Sequence, residues 1–351
     1  MIAAVDHSNE ADWIEGLPLP REQTDLVGHE AAALALHEAY RSGRMHHAWM
    51  ITGPKGIGKA TLAFRFARFA LSHPDPMRAP PPGEAPLLPV DPRVAAQVAT
   101  GAHPNLMHLR RPWDDKDKKL KTLLTVDEVR RAAGFFGTSA GSAGYRIAIV
   151  DAADDMNANA ANALLKMLEE PPARAMFLVL SHAPGGLLPT IRSRCRRLPL
   201  EPLSADELDA AVTALGLEVA EAERPALAAL AEGSVRRAVA CVESEGLALH
   251  GGFRKLVDGF PRIDRSALHR FAEAAGGRKG EDSFGLVADL CRAFLSERLR
   301  ERVHAAPADL IRLAEAWDTV ARVVAETEGL NLDRKQAVIA LVTALAATTR
   351  G

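Results

Sequence analysis

The chain has 351 residues, of which 48% are hydrophobic and 25% charged, and a formal net charge of -2. That balance belongs to an ordinary globular protein with room for more than one domain, and it excludes disordered, collagen-like and polycationic chains. Any contact with nucleic acid must therefore come through a local patch or through a larger assembly.

Residues 1–25 are polar, contain Pro18 and Pro20, and read as a loosely ordered lead-in. From 26 to 199 short apolar runs alternate with helical patterns. Residues 47–52, 105–109, 145–150 and 176–180 read as strands, and 60–72 as a helix. Their nearly unbroken apolar character is that of strands covered on both faces, and the alternation with helices implies a parallel α/β sheet. An interruption at 73–123 opens with Pro80, Pro81, Pro82, Pro86 and Pro89 and carries a charged run over 114–121. It reads as an exposed insertion with a solvated charge run. The alternative, a lysine contact to nucleic acid, is weakened by Asp114, Asp115 and Asp117 among the lysines.

The segment 157–170 reads as a core helix with Ala161, Leu164, Leu165 and Leu168 on one side. Asn157, Asn159 and Asn162 serve as caps and surface positions. After Pro199 the strand signal disappears. Residues 200–246 read as a small helical unit opened by a capping box, Ser204 with Glu207. Residues 247–351 read as an all-helical domain, with Leu286, Leu290, Phe294 and Leu299 on one stripe and Val338, Leu341, Val342 and Leu345 on another. Cys195, Cys241 and Cys291 are far apart and form no Cys-x-x-Cys pair, so neither disulfides nor a zinc site is expected, and a cytoplasmic setting is expected. No leader and no run of about 18 apolar residues is present, so no membrane partner is expected.

Gly53-Pro-Lys-Gly-Ile-Gly-Lys59 stands between a predicted strand and a predicted helix. Such a loop aims backbone amides at phosphates, with Gly53, Gly56 and Gly58 permitting the turn and Lys59 reaching the outer phosphates. The position after the lysine, where a hydroxyl ligates magnesium, is Ala60, and Thr61 lies about 100° further round the helix. The strand 145–150 ends at Asp151, a magnesium-supporting position, but the following general-base position is Ala152. Loss of a general base alone costs ~10²–10⁴ in rate. ATP or ADP can still be accommodated, yet the isolated chain is expected to turn over little of it, and no cofactor is required.

Ser181 and His182 follow the strand 176–180, and His182 is not assigned to catalysis. Arg192, Arg194, Arg196 and Arg197 then crowd into a short span. Arg196 and Arg197 read as a solvated basic loop. Arg194 reads as a side chain projected from a domain edge toward a phosphate bound next door, a role for which the planar guanidinium fork suits better than an ammonium. Cys195 reads as packed rather than nucleophilic.

The run Asn162-Ala-Leu-Leu-Lys-Met-Leu-Glu-Glu-Pro-Pro172, followed by Pro189-Thr-Ile-Arg-Ser-Arg-Cys195, resembles the clamp-loader branch of the AAA+ ATPases, with Ser193-Arg194-Cys195 as its hallmark. Leu26-Val-Gly-His-Glu30 looks like the N-terminal box of that branch, and Asn331-Leu-Asp-Arg-Lys-Gln336 is similar to the collar of its delta-prime subunits. The resemblance runs from about Leu26 to the C-terminus. It implies a P-loop α/β core at 26–199, a helical lid at 200–246 and a helical collar at 247–351. It implies a ring subunit that helps to load a sliding clamp onto primed DNA as part of the DNA polymerase III assembly. The partners would be motor (gamma/tau) and delta subunits, the clamp, and DNA through the assembly. Arg194 would act as an arginine finger in trans, with Ser193 and Cys195 as motif partners. Gly53, Gly56, Gly58, Lys59, Thr61 and Asp151 would remain as a degenerate nucleotide site. Gly233-Ser-Val-Arg236 resembles the lid motif whose arginine senses phosphate; the alternative is an exposed Arg236 at a helix N-terminus. Motor subunits of the branch keep Lys-Thr and Asp-Glu motifs, so Ala60 and Ala152 set this chain apart from the competing reading as an ATP-hydrolysing motor. Many relatives carry a four-cysteine zinc module, but residues 74–125 contain no cysteine and no zinc is expected.

Overall fold

The computed structural model describes residues 10, 13–14, 16–137, 144–243, 246–276, 281–301, 307–330 and 332–349. The chain divides into two compact units, one of residues 1–218 with 232–236 and the other of 219–231 with 237–351.

The first unit runs α1 (Glu30–Arg41), β1 (Ala48–Thr52), α2 (Lys59–Ser72), α3 (Pro92–Ala99), β2 (Leu106–Arg110), β3 (Trp113–Asp114), β4 (Lys119–Leu120), α4 (Val126–Gly137), β5 (Arg146–Asp151), α5 (Ala158–Glu169), β6 (Ala175–Ser181), α6 (Pro189–Arg194), β7 (Arg196–Pro199) and α7 (Ala205–Ala214). Five strands form one sheet in the order β2-β5-β6-β1-β7, and every pair in it is parallel. This is the parallel sheet that the strand–helix alternation predicts.

Alternate residues of the central strands feed two separate cores. Trp49, Ile51, Ile147, Ile149, Leu178 and Leu180 pack with Leu36 and Tyr40 of α1 and Phe66 and Phe69 of α2. Met50, Ala148, Val150, Phe177 and Val179 face the other way, onto Val129 and Phe136 of α4, Leu164 and Leu168 of α5 and Ile191 of α6. Burial on both faces is why these strands read as continuous apolar runs.

Three expectations need correction. The lead-in is held rather than loose among its described residues. Leu19 is buried, Arg21 donates through Nε to Ala99 O at 2.9 Å, and Arg68 of α2 donates to Gln23 O at 2.5 Å. The insertion is not simply exposed: Leu87 and Val98 are fully buried, and His37 Nδ1 accepts from the Leu87 amide at 2.9 Å. Much of its surface is solvated, including Met77 and the β3–β4 hairpin at its end, where Asp114 Oδ1 accepts from the Lys116 amide at 3.0 Å to close the turn. Arg196 and Arg197 belong to an edge strand and not to a loop.

The second unit is all-helical. It contains α8 (Arg224–Ala231), α9 (Val235–Glu243) from Arg237 onward, α10 (Gly246–Asp258), α11 (Arg265–Gly276), α12 (Glu281–Glu301), α13 (Pro307–Gly329) and α14 (Arg334–Ala347). Helix α14 opens on Asp333, whose carboxylate accepts from the Gln336 amide at 2.9 Å, and packs on α11, α12 and α13. Its Val338, Leu341, Val342 and Leu345 are fully buried, as the stripe predicts. On α12, Leu290 and Phe294 are buried but Leu299 stands 48% exposed, so that stripe ends before the helix does. Asn331 lies outside the described residues. No helix among the described residues is long and apolar enough to cross a membrane.

Candidate functional site

Strand β1 ends at Thr52, and the chain turns at once through the glycine-rich loop into α2. Gly53 sits at φ 148°, Gly56 at 80° and Gly58 at 107°, backbone that side chains with a Cβ rarely adopt. Space forbids a Cβ as well as torsion. At Gly53 it would stand 2.5 Å from Leu200 O, and at Gly56 2.5 Å from Ser234 Oγ and 2.6 Å from Arg236 Cβ.

The loop is therefore covered by Gly233-Ser-Val-Arg236, which belongs to the same unit. Ser234 Oγ donates to Lys55 O at 2.9 Å and the Arg236 amide donates to Gly56 O at 3.3 Å. From the other side His29 Nε2 meets Ile57 O at 2.7 Å. Sequence reasoning singles out both segments, but their convergence on one loop comes from the fold. Lys59 is buried, and its ammonium donates to Gly53 O at 2.7 Å and Pro54 O at 2.6 Å. Ala60 and Thr61 follow on the first turn of α2, both half-buried.

Asp151 closes β5. Its Oδ2 lies 3.4 Å from His108 Nε2 of neighbouring β2, and neither atom has a hydrogen-bond partner. Burial pushes the Asp151 carboxyl up. The adjacent His108 outweighs this, with His182 and Lys59 beyond it, and the group is held below the usual carboxylate range. Burial, with the charge of Lys59 nearby, holds His182 below the ordinary histidine value. Ala152 is buried and contributes only a methyl.

Asp154 has a role that sequence reasoning misses. Its Oδ1 accepts from Ser181 Oγ at 3.1 Å and the Ala183 amide at 2.8 Å, and its Oδ2 accepts from the His182 amide at 2.8 Å. It thus clamps the turn after β5 to the end of β6. Asp155 pairs with Arg111 at 3.2 Å. Among the described residues no group of three or more His, Cys, Asp and Glu side chains is arranged to hold a metal ion.

The arginine cluster lies along the β7 edge. Helix α6 starts with Pro189, which suits a first helical position, and ends with Arg194. That side chain is 36% exposed, and its guanidinium donates through Nη1 to Thr190 O at 3.1 Å and meets Glu169 Oε1 through Nη2 at 2.8 Å. Ser193 Oγ donates to Thr190 O at 3.1 Å. Cys195 packs against the core beneath α6, and burial pushes its thiol up to about 12, far from a thiolate at neutral pH. Arg196 lays its guanidinium over the Trp49 ring, 4.7 Å from the centroid. Arg192 and Arg197 are exposed.

The DNA polymerase III subunit delta' of Pseudomonas aeruginosa is 38% identical to this chain over 184 residues, which are 52% of this chain and 52% of that protein. The Escherichia coli subunit delta' is 34% identical over 192 residues, 55% of this chain and 52% of that protein. The chain spans about half the length of the curated relatives it matches. Among solved structures, a DNA polymerase III gamma subunit-related protein from Thermotoga maritima aligns with a TM-score of 0.47 at 16% identity, covering 89% of this chain and 99% of that one. The family described as "DNA polymerase III, delta subunit" matches residues 28–204, half of the chain. That match takes in the whole sheet together with the glycine loop and the arginine edge, and the chain belongs to that family.

Proposed function

We propose that the chain is a ring subunit of the bacterial DNA polymerase III clamp loader that serves a neighbour's ATP site rather than turning over ATP in its own. The observation that carries this reading is Arg194, presented 36% exposed at the end of α6 in the Ser-Arg-Cys setting. A guanidinium placed against a transferring phosphoryl group next door is worth ~10³–10⁵ in turnover. Hydrolysis becomes tied to ring geometry, because the arginine is in place only when two subunits are close.

The chain's own phosphate loop supports the second half of the reading. Gly53, Gly56, Gly58, Lys59 and Thr61, with Asp151 and Arg236, are the residues that would hold a nucleotide. A bound triphosphate would supply the phosphate charge that Lys59 and the loop amides neutralise. Catalysis needs more. Ala60 offers no hydroxyl to magnesium, Ala152 offers no base, and both Asp154 oxygens are already engaged at the end of β6.

In this reading residues 26–199 form a wedge, 200–246 a lid and 247–351 a collar that packs against the motor (gamma/tau) and delta subunits. Support for the collar comes from α13, where Ile311, Ala314, Trp317, Ala321 and Ala325 make an exposed apolar stripe at helical spacing. The clamp and primed DNA are met through the assembly.

The test is ATP hydrolysis by the purified chain alone, then mixed with motor and delta subunits, clamp and primed DNA. The expected result is none alone, stimulated hydrolysis in the mixture, and a fall on Arg194→Ala without loss of the assembly by gel filtration. Robust hydrolysis by the chain alone would return it to the motor class.

A further inference from the structure

Helices α5 and α6 end side by side, and their last residues meet. Glu169 Oε1 lies 2.8 Å from Arg194 Nη2, with the two side chains 42% and 36% exposed. The Glu169 position is fixed by how α5 stops. Glu170 caps the helix with its amide on Lys166 O, and Pro171 and Pro172 cannot continue it. The Arg194 position is fixed by α6, through the Nη1 bond to Thr190 O one turn back and a 3.5 Å approach to Ser193 Oγ.

We propose that Glu169 is a positioning residue for Arg194: it holds the guanidinium at one edge so that the remaining donors face a phosphate on the neighbouring subunit. This rests on the reading of Arg194 as a finger in trans. An unanchored arginine spreads over many rotamers, and that freedom must be given up when it meets its target. Glu169 and Thr190 remove much of it beforehand. A guanidinium has five N–H donors, and these contacts leave some of them for phosphate oxygens. The exposure of the pair matters to the argument. A buried pair would withdraw the arginine, whereas an exposed one is too weak to compete with a triphosphate and strong enough to bias a rotamer. The adjacent Glu170 is exposed and makes no ion pair among the described residues, so it serves as an internal control.

The experiment measures clamp- and DNA-stimulated ATP hydrolysis by the assembled loader across ATP concentrations. It compares Glu169→Gln, Glu169→Asp, Glu170→Gln, Arg194→Ala and the double variant Glu169→Gln/Arg194→Ala. Positioning predicts that Glu169→Gln lowers kcat by about two- to fivefold at unchanged KM, the range open to an exposed ion pair. Glu169→Asp should keep the larger part of the rate, Glu170→Gln should match the parent, and Glu169→Gln should add nothing to Arg194→Ala. If Arg194→Ala slows the loader but Glu169→Gln does not, or speeds it, the finger stands and the role of Glu169 is overturned. A Glu169→Gln loss that persists in the Arg194→Ala background overturns it too, because Glu169 would then act elsewhere. An Arg194→Ala loader at full rate removes the finger itself, and the positioning role with it.

Discussion

The two edges of the sheet carry the same residue type to opposite ends. On the β2 edge, Arg110 shares the Glu10 carboxylate with Arg21, and only 7% of the Glu10 side chain is exposed. Burial pushes that carboxyl up, but hydrogen bonds from Arg21 and then Arg110 outweigh it and hold its pKa at about 2, well below the usual carboxylate range. On the β7 edge, Arg192, Arg196 and Arg197 are exposed, and Arg194 is held by a surface pair with Glu169 and a bond to Thr190 O one turn back. A guanidinium taken out of water needs acceptors from its own chain, a carboxylate for Arg21 and Arg110 and backbone carbonyls for Arg68. One left at the rim costs nothing to keep open and is free to meet something outside the chain. Charged rims also discourage unwanted strand pairing at an open sheet edge.

The sharpest way to break this contrast is Arg194→Ala. It should lower turnover at the adjoining ATP site by roughly 10³ or more. Urea unfolding of the isolated chain should move by only about 0.5 kcal/mol. A stability loss well above that would make the β7 edge as structural as the β2 edge. Between the edges, Gly53→Ala should cost about 3 kcal/mol in urea unfolding, because the new Cβ meets Leu200 O at 2.5 Å and the φ of 148° is strained for alanine.

The β2 edge is tested by Glu10→Gln, expected to cost about 2 kcal/mol at pH 7. The sign follows from a carboxyl depressed on folding. Its contribution is present above about pH 4.5 and is lost as pH falls toward about 2, so the variant should flatten unfolding free energy across that window. The smallest effect, about 1 kcal/mol, belongs to Ser234→Ala, which removes the hydroxyl donor to Lys55 O. Hydrogen exchange of the loop amides would localise it.

The central strands were legible because both their faces are buried, and the glycine loop because its spacing is rigid. Strand β7 was not. Arg-Arg-Leu-Pro looks like a solvated turn, and only pairing with β1, Trp49 beside Arg196, makes it a strand. Its proline is tolerated because it ends an edge strand. The Asp154 clamp was equally hidden, since its donors come from the tip of β6, far along the chain. The glycine loop and the Ser234–Arg236 cover were each visible as motifs, but no local pattern records that one lies on the other. The packed insertion was missed because prolines signal exposure, whereas Leu87 and Val98 are anchored by α1 and α2.

Trp49 gives the β7 edge an optical consequence. Its indole is buried in β1 with Nε1 lacking a hydrogen-bond partner and the Arg196 guanidinium over its face. Trp13 and Trp317 are substantially exposed. A shielded indole beneath a cation emits to the blue of solvated ones and responds to any shift of that cation. The edge that carries the arginines therefore holds its own fluorophore, and events there can be followed in the unlabelled protein.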